Sequence, residues 1–255
     1  MNLYEAIFVR KSVRKYNMKA MDESILEDIL NYSKSLPMLN KQLSVEYRIV
    51  DMSNEEVQLG GLFSLKAPYY LCLFSTKEEN YGMNAGNLIQ HISLYLTSKG
   101  IASCILGMTK AKKGNLEVEN HEHVITLAFG SPLKEMYRSK EQAKRVEMEE
   151  IVIYKEKVRR NMISLMESVW LAPSSMNSQP WKFIVYDNRI HMFTKKQLFQ
   201  TKGMKLLNEV DMGCALAHFL VAADELWVDC SVQYLDNISA KTFHKYEYAT
   251  SIKIL

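Results

Sequence analysis

Proline is scarce in this chain, five among 255 residues, and glycine is limited to ten. None of those glycines forms a GxGxxG fingerprint or a Walker-type loop, which argues against a Rossmann or P-loop nucleotide site. The four cysteines, Cys72, Cys104, Cys214 and Cys230, lie far apart in apolar surroundings with no CxxC or Cys/His ligand spacing. They read as buried reduced thiols, with neither a disulfide framework nor a zinc ribbon. His121-Glu-His123 is the nearest approach to a metal motif, and it reads as an exposed polar turn. Neither sign of charge dominates: 32 basic against 29 acidic residues leave +3. That excess is too small for a nucleic-acid partner, and the basic residues are scattered apart from Lys110-Ala-Lys-Lys113 and the Arg10–Lys15 run. The N-terminus lacks an apolar signal core and no uninterrupted apolar run reaches membrane length, so a cytoplasmic protein without a membrane partner is expected. A hydrophobic fraction of 47% at this length allows one large domain or two small ones.

Against this background one stretch stands out, Leu171-Ala-Pro-Ser-Ser-Met-Asn-Ser-Gln-Pro-Trp181, running into Lys182-Phe-Ile-Val-Tyr-Asp187. An apolar helical segment stops at Pro173, and Ser174, Ser175, Asn177 and Gln179 follow before a β-type run. Proline cannot continue the helix, and Ser and Asn side chains bond readily to nearby backbone. The stretch is either an ordinary helix-to-strand connection or an ordered loop of short donors and acceptors suited to a polar planar ligand. A second stretch, Arg10-Lys-Ser-Val-Arg14, follows a short amphipathic helix at Leu3–Val9. Cations past a helix C-terminus are favoured by its dipole; the other reading is a phosphate clamp of guanidinium forks and a hydroxyl.

Hydrophobic patterning places the remaining elements in order. A helix capped by Asp22 ends near Pro37, and strands follow at Val45–Asp51 and Pro68–Ser75. A helix over Tyr81–Lys99 is closed by Gly100, with strands at Ile101–Leu106 and His123–Phe129. Lys134–Glu150 reads as a solvated connection with a helical part, and Ile151–Tyr154 as a short strand. A helix is expected over Glu156–Leu171. An Asp187-Asn188 hairpin joins Lys182–Tyr186 to Arg189–Phe193. The chain then continues with a long helix over Met204–Trp227, a strand at Val228–Tyr234, and a terminal strand at Tyr246–Ile252 that pairs with a sheet edge.

Two parts of the chain repeat each other. Asn40 and Gln42 recur as Asn177 and Gln179, offset by 137; Gly86 and His91 recur as Gly213 and His218, offset by 127. The first copy therefore carries about ten more residues between these landmarks, expected around Gly60-Gly61. Both histidines read as hydrogen-bonded core residues. Only the first copy has the Arg-x-Ser-x-Arg cluster and only the second has the Ser-Ser loop, so a site between copies would survive once per chain.

Arg10-Lys-Ser-Val-Arg14 after an N-terminal helix, together with Pro173-Ser-Ser-Met-Asn-Ser-Gln-Pro-Trp181 before a strand, resembles the FMN-dependent nitroreductase family. The Gly86 helix followed by Ile101–Gly107 is similar to it too, as is Lys144-Arg145 followed by Glu149-Glu-Ile-Val152. The likeness is to the branch in which two nitroreductase-like halves are fused. It implies an α+β fold of two similar α/β halves, residues 1–153 and 154–255, forming a pseudo-dimer around one FMN. The resemblance assigns Arg10, Lys11 and Ser12 to the FMN phosphate, with Arg145 and Lys144 beside them. It brings Arg14 to the ribityl chain and the pyrimidine edge. Pro173, Ser174, Ser175 and Asn177 then lie along the isoalloxazine, with Gln179 ordering the loop, and Leu106-Gly107-Met108 offers a backbone N–H to flavin N5. The implied activity is ping-pong oxidoreduction between NAD(P)H and nitroaromatic, quinone or related acceptors, with no catalytic acid or base and with the chain working as a monomer. The other reading is a flavin storage or sensing protein without turnover.

Overall fold

Asn2 starts the first helix, α1 (Leu3–Val9), through a reciprocal capping box: its side chain accepts the Glu5 N–H at 2.8 Å, and the Glu5 carboxylate accepts the Asn2 N–H at 2.9 Å. The helix buries Ala6 and Ile7 and hands the chain to Arg10 at its C-cap. The computed structural model describes residues 1–52, 58–60, 65–107, 109–113, 116–196, 201–239 and 245–255. After α1 come α2 (Glu23–Ser35), β1 (Val45–Asp51), β2 (Gln58–Gly60), β3 (Tyr69–Ser75), α3 (Tyr81–Ser98), β4 (Ala102–Leu106), β5 (Lys110–Lys113) and β6 (Glu122–Gly130). A connecting segment holds α4 (Met148–Ile151) and β7 (Val152–Tyr154). The second half follows with α5 (Arg160–Trp170), β8 (Trp181–Val185), β9 (Arg189–Lys195), α6 (Lys202–Glu225), β10 (Cys230–Gln233), α7 (Asp236–Ser239) and β11 (Tyr246–Ile254).

The two sheets have one topology. The first runs β1-β3-β6-β4 and the second β8-β9-β11-β10, so β1, β3, α3, β4 and β6 correspond in chain order and in space to β8, β9, α6, β10 and β11. The second sheet gains β7, which pairs in parallel with β8. The 153/154 division falls inside that strand. The extra length of the first copy lies between its first two strands: residues 52–68 join β1 to β3, whereas residues 186–188 suffice between β8 and β9. Gly61 of the expected insertion lies outside the described residues, while Gly60 ends β2, which pairs with β5.

The two halves meet where α3 crosses α6, and glycine makes the crossing possible. A Cβ on Gly86 would lie 2.0 Å from the Val210 carbonyl oxygen, and one on Gly213 would lie 2.0 Å from that of Met83. Each glycine thus faces the carbonyl three residues before its counterpart, a pseudo-two-fold contact that the 127-residue offset anticipates. A second symmetric pair flanks it. The Leu39 N–H donates to Asn84 Oδ1 and the Ser175 N–H to Asp211 Oδ1, both at 2.8 Å.

His218 is fully buried at this junction. Its Nδ1–H donates to the Ser168 carbonyl at 2.8 Å, and its Nε2 accepts the Gln90 amide of the other half at 2.8 Å. Burial, the largest influence, pushes its pKa down to about 3, so the ring is neutral. An unfolded chain takes up a proton near pH 6.5 that the folded one refuses. Stability is therefore expected to fall as pH drops from about 6.5 toward 3, by about 1.4 kcal/mol per pH unit across that window. Denaturant titrations at pH 7 and 4.5 test this. H218Q should lose less between the two pH values than the wild type, and equal losses would contradict the assignment. His91 is half-buried and bonded to the Asn87 carbonyl, as a packed histidine should be.

Three expectations need correction. The helix expected from Glu156 starts at Arg160, because the preceding residues are tied to the β8–β9 hairpin. Lys155 N–H donates to the Val185 carbonyl, Arg159 N–H to Asp187 Oδ1, and Asp187 N–H to Glu156 Oε1. The terminal strand is interior, since β11 pairs with β9 on one side and β10 on the other. Lys134–Glu150 is more than a solvated connection: Met136 is buried, Tyr137 bridges to Arg10, and two arginines turn inward.

Candidate functional site between the two halves

Arg10 leaves α1 and passes inward, 3% exposed, with its Nη1 buried and unpartnered. Burial is the first cause of its lowered pKa, about 10, and the charge of Arg138 is the second. Lys11 and Ser12 are half-buried and Arg14 is exposed. The Val13 N–H donates to the Ser103 carbonyl in β4 at 3.0 Å, so the motif lies along that strand.

The segment after β6 brings two more guanidiniums to Arg10. Arg138 N–H donates to the Val9 carbonyl at 2.9 Å, its Nη1 to the Ser139 carbonyl at 3.1 Å, and its Nη2 is buried without a partner. Arg145 donates through Nη2 to the Leu171 carbonyl at 2.9 Å and through Nη1 to Asn177 Oδ1 at 3.0 Å, leaving Nε buried and unpartnered. Desolvation lowers Arg145 to about 10, followed by the charges of Arg138 and Arg10. Among the described residues no carboxylate pairs with any of the three. Buried cations without a counter-ion are costly, and these three are residues that could hold an anion. Arg138 is the member that sequence reasoning missed. Its only signal is the apolar pair Met136-Tyr137 inside an otherwise charged stretch.

The second motif packs against the same arginines. A 3-10 turn at Ser175–Asn177 carries positive φ at Met176 (52°) and Asn177 (56°), and Gln179 adds a third at 47°. Such backbone is unfavourable for side-chain-bearing residues and persists where surroundings enforce it. Here the enforcement is visible. Ser174 Oγ accepts the Gln179 N–H at 2.9 Å, Gln179 Oε1 accepts the Val146 N–H at 3.0 Å, and Asn177 Nδ2 donates to the Lys144 carbonyl at 2.9 Å. Pro173, Ser174 and Ser175 are half-buried, and Met176 is 89% exposed.

One stripe of α6 joins all these parts. Residues 207, 211, 214 and 218 follow the helical spacing that stacks side chains on one face. Leu207 abuts the Leu106-Gly107 turn, where a Cβ on Gly107 would lie 2.6 Å from Leu207 Cδ2; Met108 lies outside the described residues. Asp211, 3% exposed, accepts both the N–H and the hydroxyl of Ser175, at 2.8 and 3.0 Å. Cys214 and His218 feel the charge of Arg10. The structure thus gathers Arg10, Ser12, Arg145, Ser174, Ser175, Asn177, Gln179 and Gly107 along the junction of the halves, with Lys11 and Arg14 on its outer side.

The family model described as "Putative TM nitroreductase" matches residues 2–223. A crystal structure of a "putative nitroreductase" from Thermotoga maritima shares 19% identity at a TM-score of 0.66, covering 100% of this chain and 93% of that one. At that identity the likeness establishes the fold. A nitroreductase family protein from Clostridium difficile 630 matches at 20% identity and a TM-score of 0.48, over 62% of this chain and 100% of its own. A nitroreductase with bound FMN from Desulfitobacterium hafniense matches at 17% and 0.43, over 58% and 100%. No curated protein matches the chain.

Proposed function

The chain belongs to the TM nitroreductase family, and from this premise we propose that it is an FMN-dependent oxidoreductase, drawing on NADH or NADPH and reducing nitroaromatic, quinone or related acceptors in ping-pong order. The observation that carries the reading is the trio Arg10, Arg138 and Arg145, each with a buried nitrogen that has no partner. A phosphomonoester dianion is the counter-ion such a group lacks, and guanidinium forks suit its oxygens. When bound, FMN supplies the redox chemistry and the protein supplies binding, orientation and electrostatics.

The chain's own residues then divide the work. Arg10, Arg138 and Arg145 hold the phosphate with Lys11 and Ser12, and Arg14 keeps positive charge toward the ribityl chain and ring edge. Pro173, Ser174, Ser175 and Asn177 line the ring, Gln179 pins their loop to Val146, and Leu106-Gly107 offers backbone to the reacting side. No side chain is assigned to proton transfer. Residues 1–153 and 154–255 act together as one FMN unit, so the monomer is the working species. The four free thiols suit a reducing cytosol.

The purified protein is expected to absorb near 370 and 450 nm (roughly, as oxidised flavin does), to carry one flavin per chain, and to bleach with NADH or NADPH under argon. A colourless protein that takes up no FMN would overturn the reading. A yellow protein that neither donor bleaches would leave the binding site standing and remove the reductase.

A further inference from the structure

The two halves use one position of the long helix differently. In the first half Asn84 accepts the Leu39 N–H, and its amide nitrogen is left unpartnered. In the second half the equivalent residue is Asp211, and the loop above it has gained hydroxyls. Asp211 Oδ1 accepts the Ser175 N–H and Oγ–H, and Oδ2 receives the Ser178 hydroxyl at 3.5 Å. An amide would hold the backbone equally well, as Asn84 does. A carboxylate differs in being an acceptor only, so hydroxyls bonded to it must donate.

We propose that Asp211 is a positioning residue of the flavin site: it draws the Ser175 and Ser178 hydrogens inward, so that Ser175 meets the ligand as an acceptor. The proposal rests on the flavin reading above and adds a residue to it. Ser174 has the complementary polarity, because its oxygen already accepts the Gln179 N–H at 2.9 Å and its hydrogen is free to point outward. The loop therefore offers a donor and an acceptor side by side, an order that Asp211 imposes.

Among the described residues no charged side chain pairs with Asp211, while Arg145 bonds Asn177 of the same loop. Across the helix junction, α3 carries no Asp, Glu, Lys or Arg between Tyr81 and Ser98, and its one imidazole is His91, whose pKa is pushed down by burial. On α6 the neighbour is Cys214, a thiol pushed up by burial. The loop contributes the hydroxyls of Ser175 and Ser178. Burial raises Asp211 to about 7, with the serine bonds pulling the other way. Its folded pKa thus lies above the unfolded value near 3.9. The stability it permits is complete below about pH 4 and is lost as pH rises through 7.

The test compares wild type, D211N, S175A and the double variant at pH 5.5, 7 and 8.5. FMN affinity is read by flavin fluorescence, apo melting by calorimetry, and Ser175 amide protection by hydrogen exchange. D211N copies the arrangement at Asn84 and should fold. It should melt several degrees above wild type at pH 8.5 and near it at pH 5.5. FMN should bind D211N about tenfold more weakly than wild type at pH 8.5 and within about twofold at pH 5.5, a ratio free of the phosphate's own titration (roughly one decade per 1.4 kcal/mol). S175A should weaken binding in wild type and add little in D211N. A D211N-to-wild-type ratio that stays flat with pH, or full additivity of the two substitutions, overturns the proposal while leaving the flavin site intact. Ser175 amide protection should be the same in D211N, whose side-chain oxygen still accepts that N–H as Asn84 does. Wild-type protein that binds no FMN overturns the flavin reading. In that event, an apo melting difference between D211N and wild type that is the same at pH 5.5 and 8.5 would overturn the role assigned to Asp211 as well.

Discussion

Replacing Arg10 with methionine should weaken FMN binding by about 100-fold or more and, in the same protein, leave the apo form as stable as wild type or more so. The two effects have one origin. Arg10 is 3% exposed with a buried, unpartnered Nη1, and the charge of Arg138 presses on it. Like charges brought together out of bulk water repel more strongly than they do in it. Exchanging a buried ion for an apolar side chain of similar length is often neutral or stabilising. The bound phosphate reverses the balance, because a charge-assisted bond contributes about 1.5–3 kcal/mol and a lost buried partner costs more. Fluorescence titration with FMN and apo calorimetry decide the matter together. Unchanged affinity would remove Arg10 from the phosphate site. An apo form several degrees less stable would make Arg10 a structural residue whose partner is the protein itself.

Placing alanine at Gly86 or Gly213 should cost about 4 kcal/mol or more, beyond the usual range for a single substitution. The added Cβ would lie 2.0 Å from a backbone carbonyl oxygen, and a carbonyl in a helix cannot swing aside as a side-chain end can. The helices must separate, and with them Gln90 from His218 across the same junction. At about 2–4 °C per kcal/mol for a chain of this size, melting should fall by roughly 10 °C. Because both glycines serve one crossing, the double variant should lose less than the sum of the single losses. A melting point within a degree or two of wild type in either single variant would mean that α3 and α6 do not cross here.

Periodicity and turn chemistry located most elements within a residue or two, because those signals are local. Val45–Asp51 coincides with β1 and Leu3–Val9 with α1. The start of α5 was misjudged because nothing within Glu156–Arg159 forbids a helix. What holds that stretch extended is Asp187 and Val185, some thirty residues on.

The amino-acid sequence by itself determined the duplication, the two motifs and their asymmetry, since each is a pattern of residue identity at fixed spacing. Shape decided the rest. That Arg138 joins Arg10 and Arg145 depends on a β-bridge between Arg10 and Tyr137, and an arginine in a charged stretch looks the same whether it faces water or a site. Asp211 stands at the same 127-residue offset from Asn84 as Gly213 does from Gly86, but its grip on Ser175 spans 36 residues. A repeat shows which positions correspond, whereas burial and the absence of a counter-charge arise only when distant segments close around one point.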